Sequence, residues 1–160
     1  MARRRVRKVI SGGQTGADRG GLDAAERLGI PRGGWCPKGR RAEDGKVPAK
    51  YPLRETESDD YGERTELNVL WADATVVFTH GPPAGGSALT LELAGRHGKP
   101  ALHVDLDRTG RAEAARAVRE WVGRHGVSTL NVAGSREGSA AGLRREVEEI
   151  IVEALGGRGA

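Results

Sequence analysis

The 160-residue sequence has little of the residue types that form disulfides, stack on nucleic-acid bases or cross membranes. Cys36 is the single cysteine, so an intrachain disulfide and a thiolate-only metal site within one chain are excluded. Aromatic residues make up 4% of the chain, too few for a base-stacking platform. No apolar run approaches the ~18 residues that span a bilayer. We therefore expect a soluble protein with no membrane partner, and the composition argues against a nucleic-acid partner.

The N-terminus is basic, but it lacks the apolar core and the small-residue cleavage site of a secretory signal. A cytoplasmic location is the resulting expectation. The formal net charge is +4, from 26 Lys and Arg against 22 Asp and Glu. Basic residues concentrate in an N-terminal extension, residues 1–5, and again at Lys38, Arg40 and Arg41. Such clusters either attract a phosphorylated ligand or simply solvate the surface.

Short β-branched runs alternate with segments of helical spacing along the chain. The patterns predict strands at 6–11, 33–36, 74–80, 100–106 and 128–134, and helices at 17–30, 61–72, within 81–99, at 110–126 and at 139–155. This alternation predicts an α/β fold, a Rossmann-like three-layer sandwich with a mainly parallel sheet, as a single domain over 1–160.

The pattern leaves two local features undecided. The helix at 61–72 is expected to begin from Ser58 or Asp59 as its cap. The proline-containing, charged segment 37–60 has no sustained periodicity and exceeds the usual loop length. It is therefore either a functional lid or it contains an element that the pattern does not reveal.

Glycine-rich turns follow three of the predicted strands: "SGGQTGAD", "GPPAGGSA" and "AGSREGSA". In a parallel sheet these turns lie at the carboxyl edge, where ligands bind. Glycine permits close backbone approach, and the first turn of a helix has free N–H groups, so backbone amides and nearby hydroxyls can bind an anion. The predicted binding residues are Ser11, Gly12, Gly13, Gln14, Thr15, Gly16, Gly85, Gly86, Ser87 and Thr90, with Lys38 and Arg64 as sources of positive charge.

Each glycine turn, considered alone, also has an explanation without a ligand, because tight turns require glycine for steric reasons. Asp18 is expected to interact with the positive N-terminal end of its helix. Trp35 could flank a planar ring, and Cys36 is either a packing thiol or an extra ligand. The four histidines lack metal-ligand spacing, so no residue is assigned to a metal.

Two long stretches carry a family resemblance. "SGGQTGADRGGLDAAERLGIPRGGWCPKGRRAEDGKVPAKYPL" and "SDDYGERTELNVLWADATVVFTHGPPAGGSALTLELA" closely resemble the molybdenum carrier family, a circularly permuted YpsA branch of the SLOG superfamily. The resemblance implies a Rossmann-like fold, a homo-oligomer, either dimer or tetramer, and an anionic small-molecule ligand. That ligand would be molybdenum cofactor, a related phosphorylated pterin or a nucleotide-like molecule.

A more distant resemblance to LOG-type phosphoribohydrolases gives an alternative. Arg64, Gly85, Gly86 and Glu92 match the arginine, glycines and glutamate of that family, whereas the third glycine and the threonine of its turn are replaced. The resemblance implies cleavage of the N-glycosidic bond of a nucleoside monophosphate, with Arg64 and Glu92 as catalytic residues. A nucleotide-sensing module is a further alternative, so the sequence leaves open whether the protein is an enzyme.

Overall fold

The structure is a computed structural model that describes residues 5–156, so most of the predicted basic extension lies outside the described residues. The strands are β1 (Lys8–Ile10), β2 (Arg32–Gly33), β3 (Trp35–Cys36), β4 (Arg41–Ala42), β5 (Gly45–Lys46), β6 (Arg54–Glu55), β7 (Ala74–Thr79), β8 (Ala101–Asp105) and β9 (Thr129–Gly134). The helices are α1 (Ala17–Leu28), α2 (Tyr61–Trp71), α3 (Gly85–Arg96), α4 (Arg111–His125) and α5 (Leu143–Leu155). The predicted order of the main elements is confirmed, with ends that differ by a few residues. The predicted strand at 33–36 is corrected, because Gly34, with a φ of +125°, divides it into β2 and β3, which belong to different sheets.

Five strands form the central sheet in the order β2-β1-β9-β7-β8, and every neighbouring pair is parallel. The last strand in sequence, β9, therefore lies between β1 and β7. Helices α1, α4 and α5 pack together on one face, whereas α2 and α3 pack together on the other. The α/β prediction, with its mainly parallel sheet and three layers, is confirmed.

The two faces of the sheet differ in polarity because side chains alternate along each strand. Val76, Phe78 and Val132 belong to the main apolar core beneath α1, α4 and α5. Thr75 and Asn131 point to the opposite face, where the Asn131 side-chain amide donates to the Thr75 hydroxyl at 3.2 Å. Polar groups are thus buried on the face that also holds α2 and α3.

Helix α2 begins at Tyr61, as predicted, but its cap is not the expected residue. Asp60 is its cap, and the Asp60 carboxylate accepts a 3.3 Å hydrogen bond from the Gly62 amide. The Ser58 hydroxyl instead accepts from the Asp60 amide at 2.9 Å, in the turn that precedes the helix. The predicted cap at Ser58 or Asp59 is therefore wrong, because the Ser58 side chain is used to shape the approach to the helix.

Segment 37–60 contains several short elements that leave no periodic pattern. A 3₁₀ turn at Lys38–Arg40 leads into the β4–β5 hairpin, and β6 pairs with β3. The Arg40 guanidinium donates to the carbonyls of Val47, Pro48, Tyr51 and Leu53 at 2.8–3.3 Å. Arg40 therefore organises this segment from within, instead of binding a phosphate.

A second, smaller core fixes segment 37–60 against α1. It consists of buried side chains from the segment, from α1 and from β3, namely Leu22, Cys36, Ala42, Val47, Tyr51 and Leu53. The segment is thus anchored by its own apolar contacts. Within residues 5–156 no helix is both long and apolar enough to cross a membrane.

Candidate functional site

The three glycine turns meet at one cavity because β1, β9 and β7 are adjacent and parallel. The cavity has a volume of about 460 Å³, within the range of small-molecule sites. Its lining includes Gly12, Gln14 and Asp18 near the first turn, Gly85, Gly86 and Ser87 in the second, Ser135, Arg136 and Ser139 in the third, and Arg64, Asn68, Thr90 and Asn131 beneath them. No residue of 37–60 lines this cavity, so the lid interpretation has no support from the geometry.

The N-terminus of α3 supplies hydrogen-bond donors to the cavity. Gly85 and Gly86 are the first two residues of this helix, and neither amide meets a protein acceptor within the described chain. Free amides at a helix start carry partial positive charge. A Cβ built at Gly86 would meet no atom within 4 Å, so the backbone is open to a ligand there.

The hydroxyl groups predicted to bind an anion are instead used within the protein. Each hydroxyl proton is donated to a protein oxygen: Ser11 to the Asp18 carbonyl, Thr15 to the Glu43 carboxylate, Ser87 to the Ala84 carbonyl and Thr90 to the Gly86 carbonyl. Short polar side chains form such local bonds readily in turns and early helix positions. The expectation that these protons are free for a ligand is therefore corrected.

Gln14 has a buried donor without a partner. Its side chain is 5% exposed, and its Oε1 accepts from the amides of Thr15 at 3.1 Å and Glu43 at 2.8 Å. These two bonds fix which end of the carboxamide is the oxygen. The Nε2 has no hydrogen-bond partner among the described residues. Because an unsatisfied buried donor is costly, a ligand acceptor would relieve a free-energy penalty here.

Arg64 and Asp18 form a buried pair in the cavity wall. The Arg64 Nη1 lies 3.6 Å from the Asp18 Oδ2 and donates to the Gly12 carbonyl at 2.7 Å. Asp18 also accepts from the Gln14 amide at 3.1 Å. Burial raises the pKa of Asp18, while the Arg64 charge and the turn amides oppose that shift. Asp18 was expected chiefly to interact with its helix, with a ligand contact as the secondary alternative, and its place in the first turn of α1 puts it at the cavity.

Gly13, Thr15 and Gly16 hold the first turn in place, outside the cavity lining. Gly13 has a φ of +75°, and a Cβ there would lie 2.6 Å from the Leu53 side chain. Gly16 passes against the backbone of residues 135–137, so the first and third turns are in direct contact. The Thr15 hydroxyl adds a bond from the Glu137 amide at 3.1 Å.

The structure separates the two residues of the hydrolase alternative. Glu92 lies on the exposed face of α3 and pairs with Arg96 at 2.5 Å, outside the cavity lining. Its contact is the ordinary i,i+4 pair of a helix surface. Arg64 and Glu92, the two residues named for the hydrolase alternative, therefore do not share the cavity, because α3 turns Glu92 away from it.

Lys38, Trp35 and Cys36 also lie outside the cavity lining. Lys38 is exposed in the 3₁₀ turn, and Cys36 is fully buried in the small core. Trp35 packs edge-to-face on Trp71, with ring centroids 5.2 Å apart. The positive charge expected from Lys38 comes instead from Arg136, which no strand or helix pattern indicated.

His80 lies at the rim of the cavity between two carboxylates. Its Nδ1 lies 2.8 Å from the Asp107 carboxylate and its Nε2 lies 2.7 Å from the Glu146 carboxylate. The hydrogen bonds to Glu146 and Asp107 raise the pKa of His80 and favour the imidazolium. Within residues 5–156, no group of three or more His, Cys, Asp or Glu side chains could hold a metal ion.

Comparisons with known proteins agree with this architecture. The circularly permutated YpsA SLOG family matches residues 9–155. A crystal structure from Syntrophus aciditrophicus, named as a "putative molybdenum carrier protein", is 45% identical with a TM-score of 0.93. The alignment covers 96% of this chain and 98% of that one. A search of curated proteins finds no match.

Proposed function

The chain belongs to the circularly permutated YpsA SLOG family, and from this membership we propose that it binds and carries an anionic cargo. The proposed cargo is molybdenum cofactor or a related phosphorylated pterin or nucleotide-like molecule. One observation carries the proposal: the shared cavity of the three turns presents donors that have no acceptor in the described protein. They are the amides of Gly85 and Gly86 and the Nε2 of Gln14.

These donors suit a phosphate ester attached to a planar heterocycle. The amides at the start of α3 would bind the phosphate, because helix N-termini favour anions. The Gln14 carboxamide would donate to an oxygen or ring nitrogen elsewhere on the cargo. Arg64, already fixed by the Gly12 carbonyl, contributes positive charge to the same cavity.

A carrier role is favoured over hydrolysis by the arrangement of carboxylates. Glu92 faces away from the cavity, and Asp18, which does line it, is engaged by Arg64 and the Gln14 amide. Backbone amides and a carboxamide bind without reacting, as the transport of an oxidation-sensitive cargo requires. The name of the Syntrophus protein is consistent with this role.

The direct test is native mass spectrometry with metal analysis on protein purified anaerobically from its own host. The expected result is a molybdopterin species at near-stoichiometric occupancy. A co-purified nucleotide without molybdenum would overturn the molybdenum part of the proposal and retain the nucleotide-like part. Protein without any phosphorylated ligand would overturn the carrier role.

Two leucine substitutions on α3 give a matched test of where the cargo binds. Gly86 and Gly95 are both exposed helical glycines with open space around a built Cβ, but only Gly86 lines the cavity. Gly86→Leu should lower cargo retention at least about tenfold by filling the space beside the amides, whereas Gly95→Leu should leave it unchanged. Occupancy is measured by native mass spectrometry, and helix content by circular dichroism. Equal retention in both variants would contradict a site at the start of α3.

A further inference from the structure

Three arginine side chains surround one tyrosine ring beside the cavity. The guanidinium carbons of Arg41, Arg64 and Arg136 lie 4.7, 5.2 and 5.4 Å from the centroid of the Tyr61 ring. We call this group the arginine cage. Its members come from the β4–β5 hairpin, helix α2 and the turn after β9, so the fold brings together charges that are far apart in sequence. Arg64 and Arg136 also line the cavity.

The positive charge of the arginine cage is incompletely balanced. Within residues 5–156, only Arg64 of the three has a carboxylate oxygen within 4.0 Å, that of Asp18. Burial raises the pKa of Asp18, and the Arg64 charge opposes that shift. Arg41 donates to the Asp59 carbonyl at 3.0 Å, which neutralises no charge. Arg136 helps to lower the pKa of Glu43, but among the described residues no Glu43 oxygen lies within salt-bridge distance of the Arg136 guanidinium.

The contacts with Tyr61 do not by themselves account for this cluster. A cation–π contact at a partly exposed site contributes about 0.5–1 kcal/mol, and like charges around one ring repel each other. Guanidinium groups are also the preferred partners of oxygen-bearing anions, which they bind through paired N–H donors. A bound oxyanion would remove the repulsion and use those donors.

We propose that the arginine cage binds a second oxyanion of the cargo, distinct from the phosphate at the start of α3. This inference rests on the proposed function, because two arginines of the cage, Arg64 and Arg136, line the same cavity as the α3 amides. It assigns the cargo to molecules with two oxygen-bearing anionic groups. The second group is either another phosphoryl group or an oxo-metal group, which share tetrahedral or near-tetrahedral oxygens and negative charge.

Arg136 is the residue through which the cage can be tested. No hydrogen bond of its side chain to the described protein holds the turn, whereas Arg64 is tied to Gly12 and Asp18. Arg136→Gln therefore removes a charge without removing a structural contact apart from the Tyr61 face. Arg145→Gln is the matched control, since Arg145 is an exposed arginine that pairs with Glu149 on α5.

The experiment is equilibrium dialysis of ligand-free protein against molybdate, followed by metal analysis. The wild-type chain should bind two molybdate ions, one at the α3 amides and one in the cage. Arg136→Gln and Gly86→Leu should each retain one, with the dissociation constant of the lost ion raised at least about tenfold. Arg145→Gln should retain both.

Other results separate the two proposals. One ion in the wild type, unaffected by Arg136→Gln but lost in Gly86→Leu, would overturn the cage as an oxyanion site and leave the proposed function standing. Two ions retained in Arg136→Gln would also overturn the cage. No bound molybdate in the wild type would overturn the cage as an oxyanion site, whereas the proposed function would still be decided by the ligand that co-purifies with the protein.

Competition with nucleotides then distinguishes the two sources of the second oxyanion. AMP, which has one phosphate, should displace only the ion at the α3 amides. Displacement of both ions by ADP would identify the second group as a phosphoryl group joined to the first. Displacement of only one ion by ADP would instead identify the cage as a site for an oxo-metal group.

Discussion

Gly12 shows how a single residue decides the composition of the cavity wall. The space that a side chain would occupy at this position is filled by the Arg64 guanidinium, and the Asp18 Oδ2 lies 2.9 Å from the built Cβ. Glycine is therefore required at position 12 so that the side chain of Arg64, 52 residues away in sequence, can occupy this space. This requirement differs from that of Gly13 and Gly16, whose positive φ angles are themselves unfavourable for other residues.

Gly12→Ala should displace Arg64 and lower both stability and cargo binding. Overpacking of this kind costs about 1–3 kcal/mol, and the displaced guanidinium leaves Asp18 less compensated. Gly123→Ala is the control, because Gly123 lies within α4 with nothing near a built Cβ. That change should be neutral or stabilising by up to about 1 kcal/mol. Urea denaturation measures both, and an unchanged midpoint for Gly12→Ala would contradict the packing argument.

At the residue scale, the sequence predicted which residues lie near the cavity better than it predicted what their side chains bind. Gln14 and Arg64 were predicted as binding residues, and both line the cavity, although binding itself stays a prediction. The roles of Ser11 and Thr15 were harder to predict, because their acceptors are a carbonyl and a carboxylate that only the folded turn brings close. Arg136 lies in an irregular turn whose direction depends on contacts with the first turn, which leave no pattern in the sequence.

At the scale of elements, segment 37–60 is held by a polar bridge as well as by its small core. The Tyr51 hydroxyl donates to Asp23 on α1 at 2.6 Å and accepts from Arg144 on α5 at 2.9 Å. Arg144 closes the triangle with a 2.7 Å contact to Asp23. Burial and the hydrogen bond to Asp23 raise the pKa of Tyr51, so the hydroxyl stays protonated. The segment is thus joined to two helices through one buried side chain.

Tyr51→Phe should destabilise the segment while leaving its apolar packing intact. Loss of hydrogen bonds to charged groups costs about 1.5–3 kcal/mol. Urea denaturation should show the loss, and amide exchange should show faster opening for 37–60 than for the central strands. Cys36→Ala, in the same core, serves as a comparison that removes a little apolar volume without touching the bridge. Uniform loss of protection throughout the protein would contradict a local role.

The same segment marks the limit of prediction for elements. Helices α1 and α5 and strand β7 have apolar patterns long enough to be read directly. Strands of two residues and an arginine bonded to four carbonyls produce no repeat. The sequence therefore allowed the hypothesis that 37–60 contains hidden elements. It could not predict the bounds of those elements or the role of Arg40.

At the scale of the whole molecule, strand order determines which turns meet. Alternating patterns predict parallel strands with turns at one edge, yet they permit several orders of those strands. The insertion of β9 between β1 and β7 brings the third turn beside the other two. Because this order depends on how α4 and α5 pack across the sheet, local patterns could not specify it. The homo-oligomeric state and the cytoplasmic location stay predictions.

His80 connects distant parts of the molecule and should make stability depend on pH. It bridges Asp107, after β8, and Glu146 on α5. Because its pKa in the folded protein is raised above the ordinary 6.5, its contribution is complete below 6.5 and is lost as pH rises through the folded value. For such partly exposed pairs the contribution is about 0.5–1 kcal/mol.

Thermal or urea unfolding of the wild type and His80→Gln between pH 5.5 and 9 checks this expectation. At the acidic end of this range the wild type should have a higher free energy of unfolding than His80→Gln. This difference between the two proteins should shrink toward the alkaline end. Glu146→Gln should reduce the same pH-dependent difference, because Glu146 is the larger cause of the pKa shift. A difference that grows with pH would contradict the assigned ion pairs.

The central position of β9 has a consequence for biosynthesis. A nascent chain that has not yet released Thr129–Gly134 from the ribosome lacks the strand between β1 and β7, and with it the third turn and Arg136. The cavity is therefore assembled only after β9 and the turn that follows it have been translated. Under the proposed function, a chain that terminates before this strand would lack the complete cavity and would not bind the cargo.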